Sequence, residues 1–449
     1  MSKLKKSIVS LYSGKKILIL GMGKEGRSSL EFLKELLPEQ KISIMDLSDK
    51  VEVPDGNNQH VTLLVGEETY LKNLKTFDVI FKTPSISLND QALKEYRDQG
   101  GVITSQLNEF LRVYAAQTIG VTGTKGKSTT TAFIHHVLHL AGKNIVMAGN
   151  IGIPPFEVDE LWSDESLVVM EMSSYQLENV TFSPHWAIWL NIFSEHLNFH
   201  GSLDRYVKAK GNITTYQSPE DYFIFNSTSR EIENISLKSL AVKLPFQPLE
   251  NEAELKEIVG SLLESKLSKI FLLDDLPAVL QLMKLLLIDI HVVIEALQTF
   301  KPLPHRLEKI TTKSGVIFVD DTLATIPEAT VAAIHAFPTI RVILLGGFDR
   351  GIGYDLVVDE VMKKKIPIII FFKPSGEKMH QILQAKYPES EWPKIFFVDS
   401  MEEAVKLAYA NTKAQDIVLL SPASPSFGQY KDYQDKAAQF RSWILECDH

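Results

Sequence analysis

Three groups of residues have the types and spacing for chemistry on phosphates. The first is Gly123-Thr124-Lys125-Gly126-Lys127-Ser128-Thr129, set between the apolar run AQTIGVT (116–122) and the helix-type run TTAFIHHVLHLAG (130–142). A strand, a glycine loop and a helix start point backbone N–H groups and the positive end of a helix dipole at phosphate oxygens. Lys127 is placed for the β/γ-phosphates and the Ser128 hydroxyl for Mg²⁺. The spacing departs from GxxxxGK[ST], because Val121 stands at the first glycine. The plainer reading is a glycine turn with an incidental lysine; the loop is nevertheless expected to bind nucleotide phosphate, through Gly123, Thr124, Lys125, Gly126, Lys127, Ser128 and Thr129.

The second group is Gly21-Met22-Gly23-Lys24-Glu25-Gly26, with Asp46 closing the next apolar run. This matches a dinucleotide-binding fingerprint with an acid for a ribose hydroxyl. The same glycines serve tight strand–helix packing in any doubly wound sheet. The third group is the polar series Asn150, Glu171 and His196. An acid such as Glu171 at the end of a buried strand is costly unless it meets a cation, and Mg²⁺ held with Ser128 is the natural partner. His196 is a candidate for a metal or for orienting substrate, although a histidine in such a place is more often structural. Lys210, in DRYVKAKGN, reads on its own as a solvated surface charge, and His135, His136 and His139 read as structural.

The elements that must position these groups follow an α/β pattern. KKILILGMG (15–23), AQTIGVTGTKGKST (116–129) and RVILLGGFDRG (341–351) are apolar runs that end in glycine, as parallel strands feeding loops and helices do. SLVVMEM (166–172), HWAIWLNIF (185–193), GVIFVDD (315–321), IPIIIFF (366–372) and DIVLLSP (416–422) read as further buried strands. One boundary is placed near Asn108–Val113 and another near Pro302–Pro304. The 449 residues then divide into three α/β domains, 1–110, 111–303 and 304–449.

Composition narrows the function classes. Lys and Arg number 47 against 56 Asp and Glu, a net charge of −9, which gives no general attraction for nucleic acid or anionic membrane. With 45% hydrophobic residues the chain can bury a core, which excludes a disordered protein. A single cysteine, Cys447, excludes an internal disulfide framework and a cysteine-cluster zinc site. MSKLKKSIVSLYSGKK is basic but has no continuous apolar stretch, and no apolar run approaches the ~20 residues that span a bilayer, so a soluble cytoplasmic protein is expected.

The motifs GTKGKST, AGNIG, MEMSSYQLENV, EHLNFHGSLDRYVKAK, LPHRLE, LLGGFDRG and SPASPSFGQYKDY resemble, in order and spacing, those of the Mur ligase family. The resemblance covers nearly the whole chain and lies nearest the members that add glutamate to UDP-N-acetylmuramoyl-L-alanine. It implies an N-terminal Rossmann-like domain for the UDP-sugar, a central P-loop-type ATPase domain, and a C-terminal Rossmann-like domain for the amino acid. It implies ATP and two Mg²⁺ as cofactors, small-molecule substrates, no nucleic-acid or membrane partner, and a monomer. Lys127, Glu171, His196 and Lys210 would be catalytic; Ser128, Glu171 and His196, with Lys210 if carbamylated, would hold metal. Arg306 and Asp321 would join the ATP site, with His305 nearby. Gly23, Lys24, Gly26, Asp46, Asn150, Ser173 and Gln176 would contact the UDP-substrate, and Thr325, Ser426, Tyr433 and Arg350 the glutamate. The implied reaction passes through an acyl phosphate, which the glutamate amine attacks.

Several recognition segments depart from the family pattern. Asp321-Thr322-Leu323-Ala324-Thr325-Ile326 stands for DSKATN, so a leucine replaces a lysine. Asp274-Asp275-Leu276-Pro277-Ala278 aligns with the adenine segment HNxxN without either asparagine. Asn198, Ser85 and Ser48 replace an aspartate, a glycine and an arginine respectively. An L-glutamate-adding branch and a non-catalytic nucleotide-binding relative therefore stand as alternatives. An NAD-linked oxidoreductase would explain Gly21 to Asp46 but leaves GTKGKST and Glu171 without a role.

Overall fold

The computed structural model describes all residues except 52, 54–59, 162, 164, 250–273, 302–303, 350–352, 427 and 449, and leaves out the side chains of 160, 198 and 328. The described chain is α/β and forms three sheets within two compact units, Met1–Phe300 and Lys301–His449.

In the first unit, β1 (Ile17–Leu20), β2 (Ile42–Asp46), β3 (Val61–Val65), β4 (Val79–Lys82) and β5 (Val102–Thr104) form a parallel sheet of order β3-β2-β1-β4-β5. Every residue of β1 is buried, as a strand covered by helices on both faces requires. The strand order reverses between β1 and β4, and the Gly21–Gly26 loop leaves β1 at that crevice, where open α/β sheets bind ligands.

The second sheet holds β6 (Thr118–Thr122), β7 (Ile145–Gly149), β8 (Leu167–Glu171), β9 (Trp186–Trp189), β10 (Tyr222–Asn226) and β11 (Val242–Phe246), ordered β11-β10-β9-β6-β8-β7. All its pairings are parallel. The order switches at β6, from which GTKGKST emerges. One continuous apolar core joins the two sheets, running from Ile17 and Phe81 through Phe110 and Phe156 to Met170 and Trp189. The expected boundary near Asn108–Val113 falls in the largely buried helix Gln106–Tyr114.

In the second unit, β12 (Glu308–Thr311), β13 (Ile317–Asp320), β14 (Val342–Gly346), β15 (Ile368–Phe372), β16 (Lys394–Val398) and β17 (Ile417–Leu420) are ordered β12-β13-β17-β14-β15-β16. All are parallel except β12, which pairs antiparallel with β13. Among the described residues no helix is long and apolar enough to cross a membrane.

Candidate active site

The loop Gly123–Thr129 is braced by side chains distant in sequence. Asn191, just past β9, accepts the Lys125 N–H on Oδ1 at 2.8 Å and donates Nδ2 to the Lys125 carbonyl at 3.1 Å. Thr124 Oγ1 accepts the Phe193 N–H at 2.9 Å and lies 3.0 Å from the Tyr206 hydroxyl. Gly126 caps the helix Lys127–Leu140 with φ +81°, a conformation that glycine adopts at little cost. A side chain there would also strike Asp275, whose Oδ2 lies 1.9 Å from the place a Cβ would take. Lys127 opens the helix and donates Nζ to the Thr124 carbonyl at 2.9 Å, and Ser128 follows it, buried.

Glu171, His196 and Lys210 lie by this loop. Glu171, at the end of β8, is buried; Oε1 accepts from Asn150 Nδ2 at 2.7 Å, and Oε2 has no partner among the described residues. An orphaned buried carboxylate oxygen is expensive unless a cation meets it. The unpartnered Glu171 oxygen, with the Ser128 hydroxyl as a second oxygen donor, is the chemistry a hard divalent ion such as Mg²⁺ takes. His196 has φ +57° and places Nδ1 2.7 Å from the Tyr175 hydroxyl and Nε2 3.5 Å from Glu195 Oε1.

Lys210 overturns the surface-charge reading. Its helix, Leu203–Thr215, turns this face inward, and the side chain is 1% exposed, with Nζ donating to the Gly123 carbonyl at 2.7 Å and lying over the Tyr206 ring. Burial, and next Lys127, hold its pKa well below the usual lysine value, against the pull of Glu195 and Glu171. Burial thus favours the uncharged amine over the ammonium at this position. On helix Lys127–Leu140, His136 Nε2 meets Thr299 Oγ1 at 2.8 Å, and His135 stacks on His139.

The Gly21–Gly26 loop meets the Asn150 and Ser173 segments within the same unit. Lys24 Nζ donates to the Gly152 carbonyl at 2.9 Å, and Gln176 Nε2 donates to Glu25 Oε1 at 2.7 Å. Ser173 caps the turn Ser174–Leu177 in a reciprocal capping box with Gln176. Asp46 accepts the Met22 N–H at 2.8 Å and the Ser48 N–H at 2.9 Å, one on each oxygen. Gly26 packs so closely that a Cβ would lie 2.0 Å from the Gly21 carbonyl oxygen, while Gly23 has open space.

The second unit carries its own polar cluster. His305 Nδ1 lies 2.8 Å from Asp320 Oδ2, and its ring faces Tyr433 edge-on at 6.2 Å. Asp321 accepts Ser421 Oγ at 2.7 Å; burial pushes its pKa up to about 7, although Ser421 and Arg306 counter the shift. Thr325 is half-buried, and Ser426 is buried with an Oγ that has no partner among the described residues. Arg350 lies outside the described residues.

Motif reading missed Asn191, Glu25 and the placement of Asp275. Asp275 accepts from Thr130 Oγ1 at 3.2 Å, and burial, with Asp274 next, pushes its pKa up to about 8. The available signal for Asp275 was an acid directly ahead of the apolar helix Leu276–Leu285.

Comparisons with known proteins place the chain in a family. Residues 121–266 match the Mur ligase middle domain, and residues 305–424 match the Mur ligase, glutamate ligase domain. The chain is 30% identical over 457 residues to the UDP-N-acetylmuramoylalanine–D-glutamate ligase of Acetivibrio thermocellus, covering 96% of each chain. Among solved structures, the UDP-N-acetylmuramate-alanine ligase MurC of Thermotoga maritima superposes with a TM-score of 0.56 at 18% identity, covering 96% of this chain and all of that one. The MurF ligase of Thermotoga maritima in complex with ADP superposes with a TM-score of 0.55 at 16% identity, covering 99% of each chain.

Proposed function

The chain belongs to the Mur ligase family, and on that premise we propose that it adds glutamate, in the D configuration, to UDP-N-acetylmuramoyl-L-alanine during peptidoglycan precursor synthesis. It is an ATP-dependent, amide-bond-forming ligase. The observation that carries the proposal is the convergence of Lys127, Glu171 and Lys210 on the braced loop after β6, with Glu171 Oε2 left for a cation.

In this reading the three sheets correspond to three domains, for UDP-sugar, ATP and amino acid. Residues 123–129 would hold the ATP phosphates. Lys127 offsets charge on the transferred γ-phosphoryl group. Ser128, Glu171 and His196 would hold Mg²⁺, which would supply electrostatic stabilisation of phosphoryl and carboxylate oxygens. Lys24, Asp46, Asn150, Ser173 and Gln176 position the UDP-sugar, so that its terminal carboxylate attacks the γ-phosphorus and ADP leaves. Thr325, Ser426 and Tyr433 would hold the glutamate, whose amine then attacks the acyl phosphate carbon. The tetrahedral intermediate expels inorganic phosphate, and the amine proton goes to solvent. No side chain acts as a nucleophile toward substrate, and the catalytic contribution is orientation and charge.

The neutral Lys210 amine is set to add CO₂. Its lone pair forms the N–C bond, one C–O π pair moves to oxygen, and a proton is released, which leaves a carbamate beside Glu171 as a further oxygen donor. A mass increase on the Lys210 peptide in bicarbonate is the expected sign.

The decisive assay supplies ATP, Mg²⁺, UDP-N-acetylmuramoyl-L-alanine and either enantiomer of glutamate, and follows product mass. D-glutamate should give a product heavier by one glutamyl residue. Leu323 in place of a lysine favours one second reading, addition of L-glutamate, which the same assay reports. No product with either enantiomer would reject the proposal.

A further inference from the structure

The second unit contains a charge for which the reaction above has no use. Lys436 lies in the first turn of the helix Tyr433–Cys447, and its side chain is completely buried. Among the described residues its Nζ has one acceptor, the Gly346 carbonyl at 3.3 Å, and sits between the rings of Phe372 and Tyr430 at 5.1 and 5.4 Å. Asp320 is the carboxylate it feels, but that group is engaged elsewhere: Oδ1 accepts Thr322 N–H and Oγ1–H, and Oδ2 faces His305. An ammonium has three hydrogens to place, and one long hydrogen bond leaves most of its desolvation cost unmet. Burial accordingly pushes its pKa down to about 7.

The surroundings point to what completes this site. Lys436 lies beneath the turn Gly346-Gly347, where a Cβ on Gly347 would come within 3.7 Å of Nζ and 2.6 Å of the Pro425 carbonyl oxygen. Phe348 N–H donates to that same Pro425 carbonyl at 3.0 Å, and the next residue, Ser426, holds its hydroxyl buried and unpartnered among the described residues. Among the described residues, the Lys436 ammonium with its one long hydrogen bond and the unpartnered Ser426 hydroxyl leave donors unused, and a carboxylate suits them. Position 323, where the related segment has a lysine, holds leucine and supplies no charge.

We infer that Lys436 is the cation that matches the carboxylate charge of the incoming amino acid, and so determines that an acidic acceptor is chosen over its neutral amide. The inference rests on the reading of glutamate as the acceptor. The test uses the full-length chain and steady-state phosphate release. Lys436→Met should raise the KM for glutamate by about tenfold or more and erode the preference for glutamate over glutamine, with the KM values for ATP and UDP-substrate within about twofold of wild type. Lys436→Arg should keep part of the preference. A glutamate KM unchanged in Lys436→Met, or a parallel rise in all three KM values, would overturn the inference. Should Lys436→Met not fold, the wild-type protein with ¹³Cε-labelled lysine decides: the titration midpoint of the Lys436 resonance, assigned with Lys436→Arg, should rise on saturation with glutamate and not with glutamine. No rise overturns the inference. A wild-type enzyme that releases no phosphate in response to glutamate would instead reject the underlying choice of acceptor.

Discussion

The first unit contains two glycine loops that leave a buried strand and open a helix, and they are built for different purposes. In Gly21–Gly26 the glycines let the backbone close on itself: Gly26 sits on the Gly21 carbonyl, and Asp46 fixes the Met22 N–H. In Gly123–Thr129 the loop is held from outside by Asn191 and Tyr206, and buried or half-buried charge surrounds it: Lys127, Lys210, Asp275 and Glu171. Glycine spacing therefore marks where a doubly wound sheet packs tightly. The neighbouring charges and orphaned oxygens mark where chemistry is to be expected.

The comparison can be broken at several points. Lys127→Ala should lower kcat for phosphate release by about 10²–10³-fold, the scale of one lost transition-state contact, with an unchanged thermal unfolding midpoint. Glu171→Gln should lower activity by about 10²-fold, yet leave the metal-free protein at least as stable as wild type, because it removes an uncompensated buried charge. Calorimetry with and without Mg²⁺-nucleotide checks this: wild type should gain stability on loading and the variant should gain less. Gly26→Ala should do the reverse, costing about 1–3 kcal/mol in denaturant unfolding while leaving the KM for ATP unchanged. If Gly26→Ala instead abolished ATP binding and Lys127→Ala left it intact, the roles assigned to the two loops would be exchanged.

The smallest effect concerns Asp275. Folded, it keeps its proton up to about pH 8; unfolded, it releases it near the ordinary carboxyl value of about 3.9. Its contribution to stability is thus present below about pH 4 and is lost as the pH climbs through about 8. Asp275→Asn keeps an acceptor for Thr130 and should therefore unfold at a progressively higher temperature than wild type between about pH 5 and pH 8. A constant difference across that range would show that Asp275 is already ionised at its place against Gly126.

Much of the fold was legible because short apolar runs ending in glycine leave few alternatives in an α/β chain. ILIL at β1, TIGVT at β6, LVVME at β8 and VILLG at β14 all became buried parallel strands. The loop between β6 and its helix was legible for the same reason, and so was the buried place of Glu171 at the end of a strand. Lys210 was misread when its own stretch of sequence was taken by itself. Its helix carries charges on its outer face, and only the packing of the inner face against the strand end at Thr122–Gly123 shows that this lysine is buried. Asn191 and Asp275 were hidden similarly: each acts on a loop more than sixty residues away in sequence, through contacts that no local pattern encodes. Lys436 sits in KDYQDKAAQF among ordinary surface-type residues, and the sequence alone does not separate it from Lys431.

The central claim is that the loop after β6 activates a substrate carboxylate as an acyl phosphate. Oxygen transfer tests it most directly. With UDP-N-acetylmuramoyl-L-alanine labelled with ¹⁸O in the alanine carboxylate, together with ATP, Mg²⁺ and glutamate, the released phosphate should carry one ¹⁸O atom per turnover, as read by mass spectrometry. Phosphate released without label, at a rate matching product formation, would contradict the acyl-phosphate route.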